Sequence, residues 1–132
     1  MKILAIDPGI STGIAMADIQ ILGSKFIDGC ILYRATYNIS QLAYFLNRGA
    51  DSPDLVIYER LPPRLSSKLT TIRIMVEEFM REYIISSKRI APSEWKPVSR
   101  SRGWKPNGKT QHERDSEMLI RYYVWIGFGK EL

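Results

Sequence analysis

The sequence predicts an α/β protein, a mixed five-stranded sheet with helices packed on it. Three observations lead there. Residues 2–8 and 13–18 are apolar runs, each long enough for a buried strand and too short for a helix, and the Pro8-Gly9 and Gly13 punctuation between them marks a hairpin. A later apolar run, 54–59, is reached through a short amphipathic stretch, and a strand reached through a helix is normally parallel to its neighbour. Two longer stretches, starting at 66 and at 110, have helical periodicity and apolar faces able to cover a sheet.

In chain order, 2–8 and 13–18 are the first two strands. Residues 25–34, after the Gly23-Ser24 turn, are a third that completes an antiparallel meander. Asn38 or Ser40 caps a helix through 41–46, which stops at Arg48-Gly49. Strand 54–59 follows. Ser66 or Ser67 opens the longest helix, expected to reach about residue 85, with Ile72, Met75, Val76, Phe79, Met80 and Tyr83 on one face. Ile74, Ile84 and Ile85 extend the apolar surface beyond what one sheet contact uses, which suggests a subunit interface, with a core stripe and a few exposed apolar residues as the equal alternative. Residues 88–92 read as a short fifth strand and 93–95 as a turn. Residues 96–111 read as a loop, because Pro97, Gly103, Pro106 and Gly108 interrupt them. Thr110 or Gln111 then opens a last helix, expected to end at Gly127. No repeat or linker divides the chain, so residues 1–132 are expected to form one domain.

A chain of this size buries enough surface to fold without a disulfide or a metal staple. The one cysteine, Cys30, lies in an apolar run and is expected to be a small buried hydrophobe. No basic segment leads into an apolar stretch of signal length and no run is long enough to span a membrane, so a cytoplasmic protein is expected. The net charge is +5, and its placement is more informative than its size. Between 96 and 111 the chain carries Lys96, Arg100, Arg102, Lys105 and Lys109 with no acid, interleaved with Trp104. Such a stretch suits a phosphate backbone and a base to stack on, and a solvated basic loop is the plainer alternative.

The carboxylates are placed more tellingly. Asp7 ends the first apolar run, where an ionised group costs several kcal/mol unless a cation meets it. Alone it reads equally as a turn residue of the Pro8-Gly9 bend. Glu59 ends the 54–59 run in the same way, just before Leu61-Pro62-Pro63. Two strands delivering acids at their C-terminal ends put both at one sheet edge, the usual preparation for divalent cations. In the last helix, at about 100° per residue, His112 and Asp115 fall with Leu119, Tyr122, Tyr123 and Ile126 on the expected buried face. Glu113 and Glu117 fall with Arg121 and are expected to be solvated. His112 and Asp115, spaced i, i+3, can serve one cation. A core or capping histidine is the ordinary reading of His112, and the converging carboxylates outweigh it.

Ile6-Asp7-Pro8-Gly9 with Thr12-Gly13, Val56-Ile57-Tyr58-Glu59, Ala91-Pro92 with Trp95-Lys96, and His112-Glu113-Arg114-Asp115-Ser116 together resemble the RuvC-type Holliday-junction resolvases of the ribonuclease H-like superfamily. Their short phage- and virus-type relatives are the best match, and the pieces run in the family's order over nearly the whole chain. The resemblance implies a ribonuclease H-like sheet of three antiparallel strands followed by two parallel ones. It also implies a Mg²⁺-dependent endonuclease of branched DNA, working as a homodimer and holding two ions, with Mn²⁺ able to substitute. Asp7, Glu59, His112 and Asp115 would be the metal ligands. Arg64, Lys68, Lys96, Arg100, Arg102, Trp104, Lys105 and Lys109 would face DNA, and the helix around Met75, Phe79 and Tyr83 would face the second copy. If the gene is carried by a phage or virus, the host cytoplasm is where the enzyme would act. One departure stands out: where the best-known relatives place an aromatic residue three positions after the second acid, this chain has Pro62. A nuclease of the same fold acting on RNA or forks, and a non-catalytic junction binder, are the competing readings.

Overall fold

The structure, a computed structural model, describes residues 1–132. Strands β1 (Lys2–Asp7), β2 (Thr12–Leu22) and β3 (Lys25–Tyr37) form the antiparallel meander. Helix α1 (Ile39–Asn47) leads to β4 (Leu55–Glu59), and α2 (Ser67–Glu82) leads to β5 (Ser86–Ile90). Helices α3 (Pro92–Arg102) and α4 (Gln111–Phe128) complete the chain. The sheet order is β3-β2-β1-β4-β5, with β1-β4 and β4-β5 parallel, as expected for strands reached through helices.

Period-two alternation in the central strands splits the core. Ile3, Ala5, Ala15, Ala17 and Ile57 pack beneath α4 with Trp95 of α3, while Leu4, Ile6, Ile14, Met16 and Val56 pack beneath α1 and α2. Both faces are covered, which explains why these strands read as continuous apolar runs. The outer halves of β2 and β3 are less buried. They run past their expected ends as a two-stranded ribbon, with register shifts at Met16/Ala17 and Gln20/Ile21.

The caps explain most helix ends. Asn38 Oδ1 accepts the Gln41 N–H at 2.8 Å, and Gln41 returns the bond to the Asn38 N–H at 2.9 Å. Ser66 and Thr110 cap α2 and α4 through the backbone N–H groups of Leu69 and Glu113.

Five expectations are corrected. Helix α2 ends at Glu82, and β5 lies two residues earlier than 88–92, because Ile84 turns the chain at φ 54°. The first part of the basic stretch is helical, since Pro92 at the first helical position and the Ala91 N–H bond to Glu94 Oε2 (2.6 Å) nucleate α3. Pro97 there forfeits only one intrahelical bond. Helix α4 passes through Gly127 and stops at Gly129, which adopts φ 65°. Cys30 is exposed, because its part of β3 belongs to the ribbon.

Candidate metal and nucleic-acid site

Asp7 and Glu59 are the last residues of β1 and β4. The parallel ladder pairs Ile6 with Tyr58, so the two acids stand one residue beyond it on adjacent strands. By alternation both point to the α4 face, where Ala5 and Ile57 lie. Helix α4 brings its N-terminal turn down on this edge, and His112 Nδ1 lies 3.2 Å from Asp7 Oδ2. Asp115, one turn on, raises the proton affinity of both acids through its charge. Of the four side chains expected to act together, Asp7 and His112 are in contact, Glu59 stands on the adjacent strand, and Asp115 Oδ1 accepts the Gln111 side-chain N–H at 2.6 Å. They do not close into a cage, as no three His, Cys, Asp or Glu side chains reach metal-ligand spacing.

Burial holds Asp7 up at about 6, with the nearby Asp115 adding to it and the His112 contact opposing it. Burial also holds Glu59 up at about 7, and the charges of Asp7 and Asp115 add to that. Lys96 lowers both slightly. Glu59 Oε2 is buried with no hydrogen-bond partner, and the Trp95 indole N–H beside it favours the charged form without reaching bonding geometry. An orphaned buried carboxylate oxygen beside like charges fits a divalent cation, because hard oxygen donors and one imidazole suit Mg²⁺ or Mn²⁺.

The orientation of α4 differs from expectation. Glu113 and Glu117, expected to be solvated, are buried with Ser116, Leu119, Ile120 and Val124, whereas Ile126 is 54% exposed. The helix is turned by roughly one residue, about 100°. The cause lies in β3, whose inward-facing polar residues receive the acids. Glu117 pairs with Arg34 and, at 2.9 Å, with Arg121, and Glu113 Oε2 accepts the Thr36 hydroxyl at 2.9 Å. His112 and Asp115 lie off the centre of the buried face; His112 still contacts Asp7, while Asp115 acts on the acids through its charge.

Sequence reasoning missed Arg34 and Thr36. Their i, i+2 spacing on a strand against an i, i+4 pair of glutamates is the signal that could have found them. It also missed the role of Gly13, opposite Asp7 in the ladder, where a Cβ would stand 2.1 Å from the His112 carbonyl oxygen.

The basic residues separate into two groups. Lys96 and Arg100 line a cleft of about 430 Å³ between α3 and α4, together with Arg114 and Asp115, next to the acids. Arg64, Lys68, Lys105 and Lys109 are exposed, the first two on the loop and helix start that follow Glu59. Arg102 and Trp104 are engaged within the chain. Arg102 stacks on Trp125 at 3.8 Å and pairs with Glu131, and the Trp104 Nε1–H donates to Glu131 at 3.2 Å.

No protein-family model and no curated protein matches this sequence. Solved structures do. Thermus thermophilus RuvC superposes with a TM-score of 0.69 over 100% of both chains at 17% identity, as does T. thermophilus RuvC in complex with a Holliday junction substrate. Fowlpox virus resolvase, in complex with Holliday junction DNA, superposes with a TM-score of 0.55 at 14% identity, covering 98% of this chain and 79% of its own. No helix here is long and apolar enough to cross a membrane. The order β3-β2-β1-β4-β5, with α4 laid across the edge that holds Asp7 and Glu59, is thus the α/β, ribonuclease H-like fold of the RuvC-type Holliday-junction resolvases.

Proposed function

We propose that this chain is a single-domain, Mg²⁺-dependent endonuclease that resolves four-way DNA junctions, acting as a homodimer in the cytoplasm of a cell or of a phage- or virus-infected host. The observation that carries the proposal is the His112–Asp7 contact beside the orphaned Glu59 Oε2 at one sheet edge, with Asp115 in the basic cleft alongside. Neighbours bound to junction DNA support the choice of substrate.

Two magnesium ions held by these four residues, or manganese in their place, would supply Lewis acidity at the scissile phosphate and charge for the leaving oxygen. The remaining work belongs to the chain. Asp7 and Glu59, disfavoured as anions by burial, give up their protons when a cation is offered, which couples metal uptake to pH. His112 turns Nδ1 toward Asp7 and so keeps Nε2 free as a ligand nitrogen. Lys96, close enough to stabilise both acids as anions, is placed to meet a phosphate oxygen beside the cut. Arg100, Lys105 and Lys109 extend the positive surface along α3 and the loop after it, and Arg64 and Lys68 flank the other side.

Phe79 is buried in the core, so the surface for a second copy would rest on the exposed Ile74, Tyr83 and Ile84, with Met75 partly covered. The deciding experiment compares a four-way junction, a fork, a linear duplex and an RNA–DNA hybrid with Mg²⁺ present. Paired symmetric nicks confined to the junction are expected, and preferential cleavage of the hybrid or the fork would replace this reading.

A further inference from the structure

On the sheet face opposite α4, a cleft of about 740 Å³ lies between the end of β3 and α1, within the size range of small-ligand sites. Tyr33, Tyr37, Tyr44 and Phe45 line it, with Arg48 and Asp51 as its charged groups. The Arg48 guanidinium sits over the Tyr44 ring at 5.2 Å, and the Tyr33 hydroxyl donates to Asp51 Oδ2 at 3.3 Å. Asp51 is held there by a costly backbone, since Ala50, Asp51 and Ser52 are consecutive non-glycine residues at φ 43°, 58° and 50°. Strain of this kind gathers at ligand clamps.

The cleft begins close to the candidate catalytic edge. Tyr37 pairs with Thr12, and the next residue, Gly13, pairs with Asp7, so about two strand spacings, roughly 10 Å, separate Tyr37 from Asp7.

Its chemistry selects the occupant. Aromatic faces and a stacked guanidinium bind flat π-systems, and the Asp51 carboxylate repels a phosphate while accepting N–H donors. Asp51 Oδ1 makes no hydrogen bond within the chain, and a carboxylate accepts two parallel N–H bonds. Guanine is the DNA base that offers two adjacent N–H donors on its pairing edge.

We propose that this cleft is a nucleobase site selective for an unpaired guanine, taking a base turned out of the strand that lies along the catalytic edge. The inference rests on reading the protein as a nuclease of branched DNA, where bases at the branch are the least costly to unstack.

The test titrates metal-free protein with dGMP, dAMP, dCMP and deoxyribose 5-phosphate, following tyrosine resonances by NMR. The Tyr44→Ala and Asp51→Asn variants are run beside the wild type. Tyr44 is 63% exposed, so its loss spares the core. The expected result is binding of dGMP about tenfold tighter than dAMP, with deoxyribose 5-phosphate inert. Asp51→Asn should abolish the preference, and Tyr44→Ala should weaken all bases by about tenfold, the scale of one stacked base. Equal binding of all four probes, or none, overturns the proposal. So does a change of solution mass in either variant, which would assign the cleft to contact between copies. Guanine selectivity without cleavage of any DNA would uphold the site and sink the nuclease reading; junction cleavage without selectivity would do the reverse.

Discussion

The backbone of Gly13 in β2 lies directly against that of His112 in α4: a Cβ on Gly13 would lie 2.1 Å from the His112 carbonyl oxygen and 2.7 Å from its Cβ. No side chain fits there unless α4 moves. Gly13 also faces Asp7 in the β1/β2 ladder, so one small residue sets the distance between the strand acid and the helix histidine. Gly13→Ala is expected to push the start of α4 off the sheet, lowering the melting temperature and cutting junction cleavage per folded molecule by orders of magnitude. Cleavage at wild-type rate by a variant of normal melting temperature would show that the contact does not set the site.

Glu117→Gln is expected to destabilise the fold by about 3 kcal/mol or more, because it leaves Arg34 and Arg121 without their shared buried partner. Urea denaturation measures it. Cleavage per folded molecule should stay near wild type, and its loss in folded protein would move Glu117 from support to chemistry.

Asp115→Asn and Glu59→Gln remove charge from the crowded edge without disturbing the core. Cleavage is expected to fall by orders of magnitude in each, while junction affinity holds or tightens as repulsion of phosphate decreases. Gel-shift and cleavage assays on the same preparations read both quantities. Weakened binding with proportionate cleavage would mean that these acids support the DNA surface instead of the reaction.

The raised acids make metal-free stability pH-dependent, and the sign is fixed. Asp7 at about 6 and Glu59 at about 7 hold protons in the folded chain that the unfolded chain has released, relative to ordinary values of 3.8 and 4.5. Their contribution is fully present below about pH 4 and is lost as pH rises through 6 and 7. Melting curves in EDTA should therefore show wild type losing stability between pH 5 and 8 relative to an Asp7→Asn, Glu59→Gln variant. Mg²⁺ should restore it at pH 8 and do little at pH 5. Parallel curves for the two proteins would place these acids in solvent.

Replacing Lys105 and Lys109 by alanine is expected to weaken junction binding and to reduce the dependence of log K on log salt by about one unit per lost phosphate contact. An unchanged slope would leave these lysines as a solvated face.

The sheet was legible in the sequence because its central strands are buried on both sides, and an apolar run bounded by glycine and proline has few other readings. Asp7 and Glu59 were legible for the same reason, as carboxylates interrupting such runs. The rotation of α4 was not. A helical wheel weights Tyr122, Tyr123 and Ile126 as core, yet the buried face is set by Arg34 and Thr36, residues distant in sequence whose charge and hydroxyl make glutamates the better inward neighbours. The start of α3 was hidden in a similar way, since Pro97 and the glycines after it outweighed a Pro92 and Glu94 pairing that starts a helix well. Arg102 and Trp104 read as DNA contacts because nothing nearby in sequence claims them, whereas Glu131 and Trp125 do so in three dimensions.

The exposed Cys30 gives the protein a ready reporter. It is the only cysteine, and it sits on the β2/β3 ribbon, away from the edge that carries Asp7 and Glu59. A maleimide fluorophore or a nitroxide attached there labels each molecule once without further engineering. In a symmetric pair the two probes give a single distance distribution. Under the proposed function, its change on adding a junction would follow the two edges that carry Asp7 and Glu59.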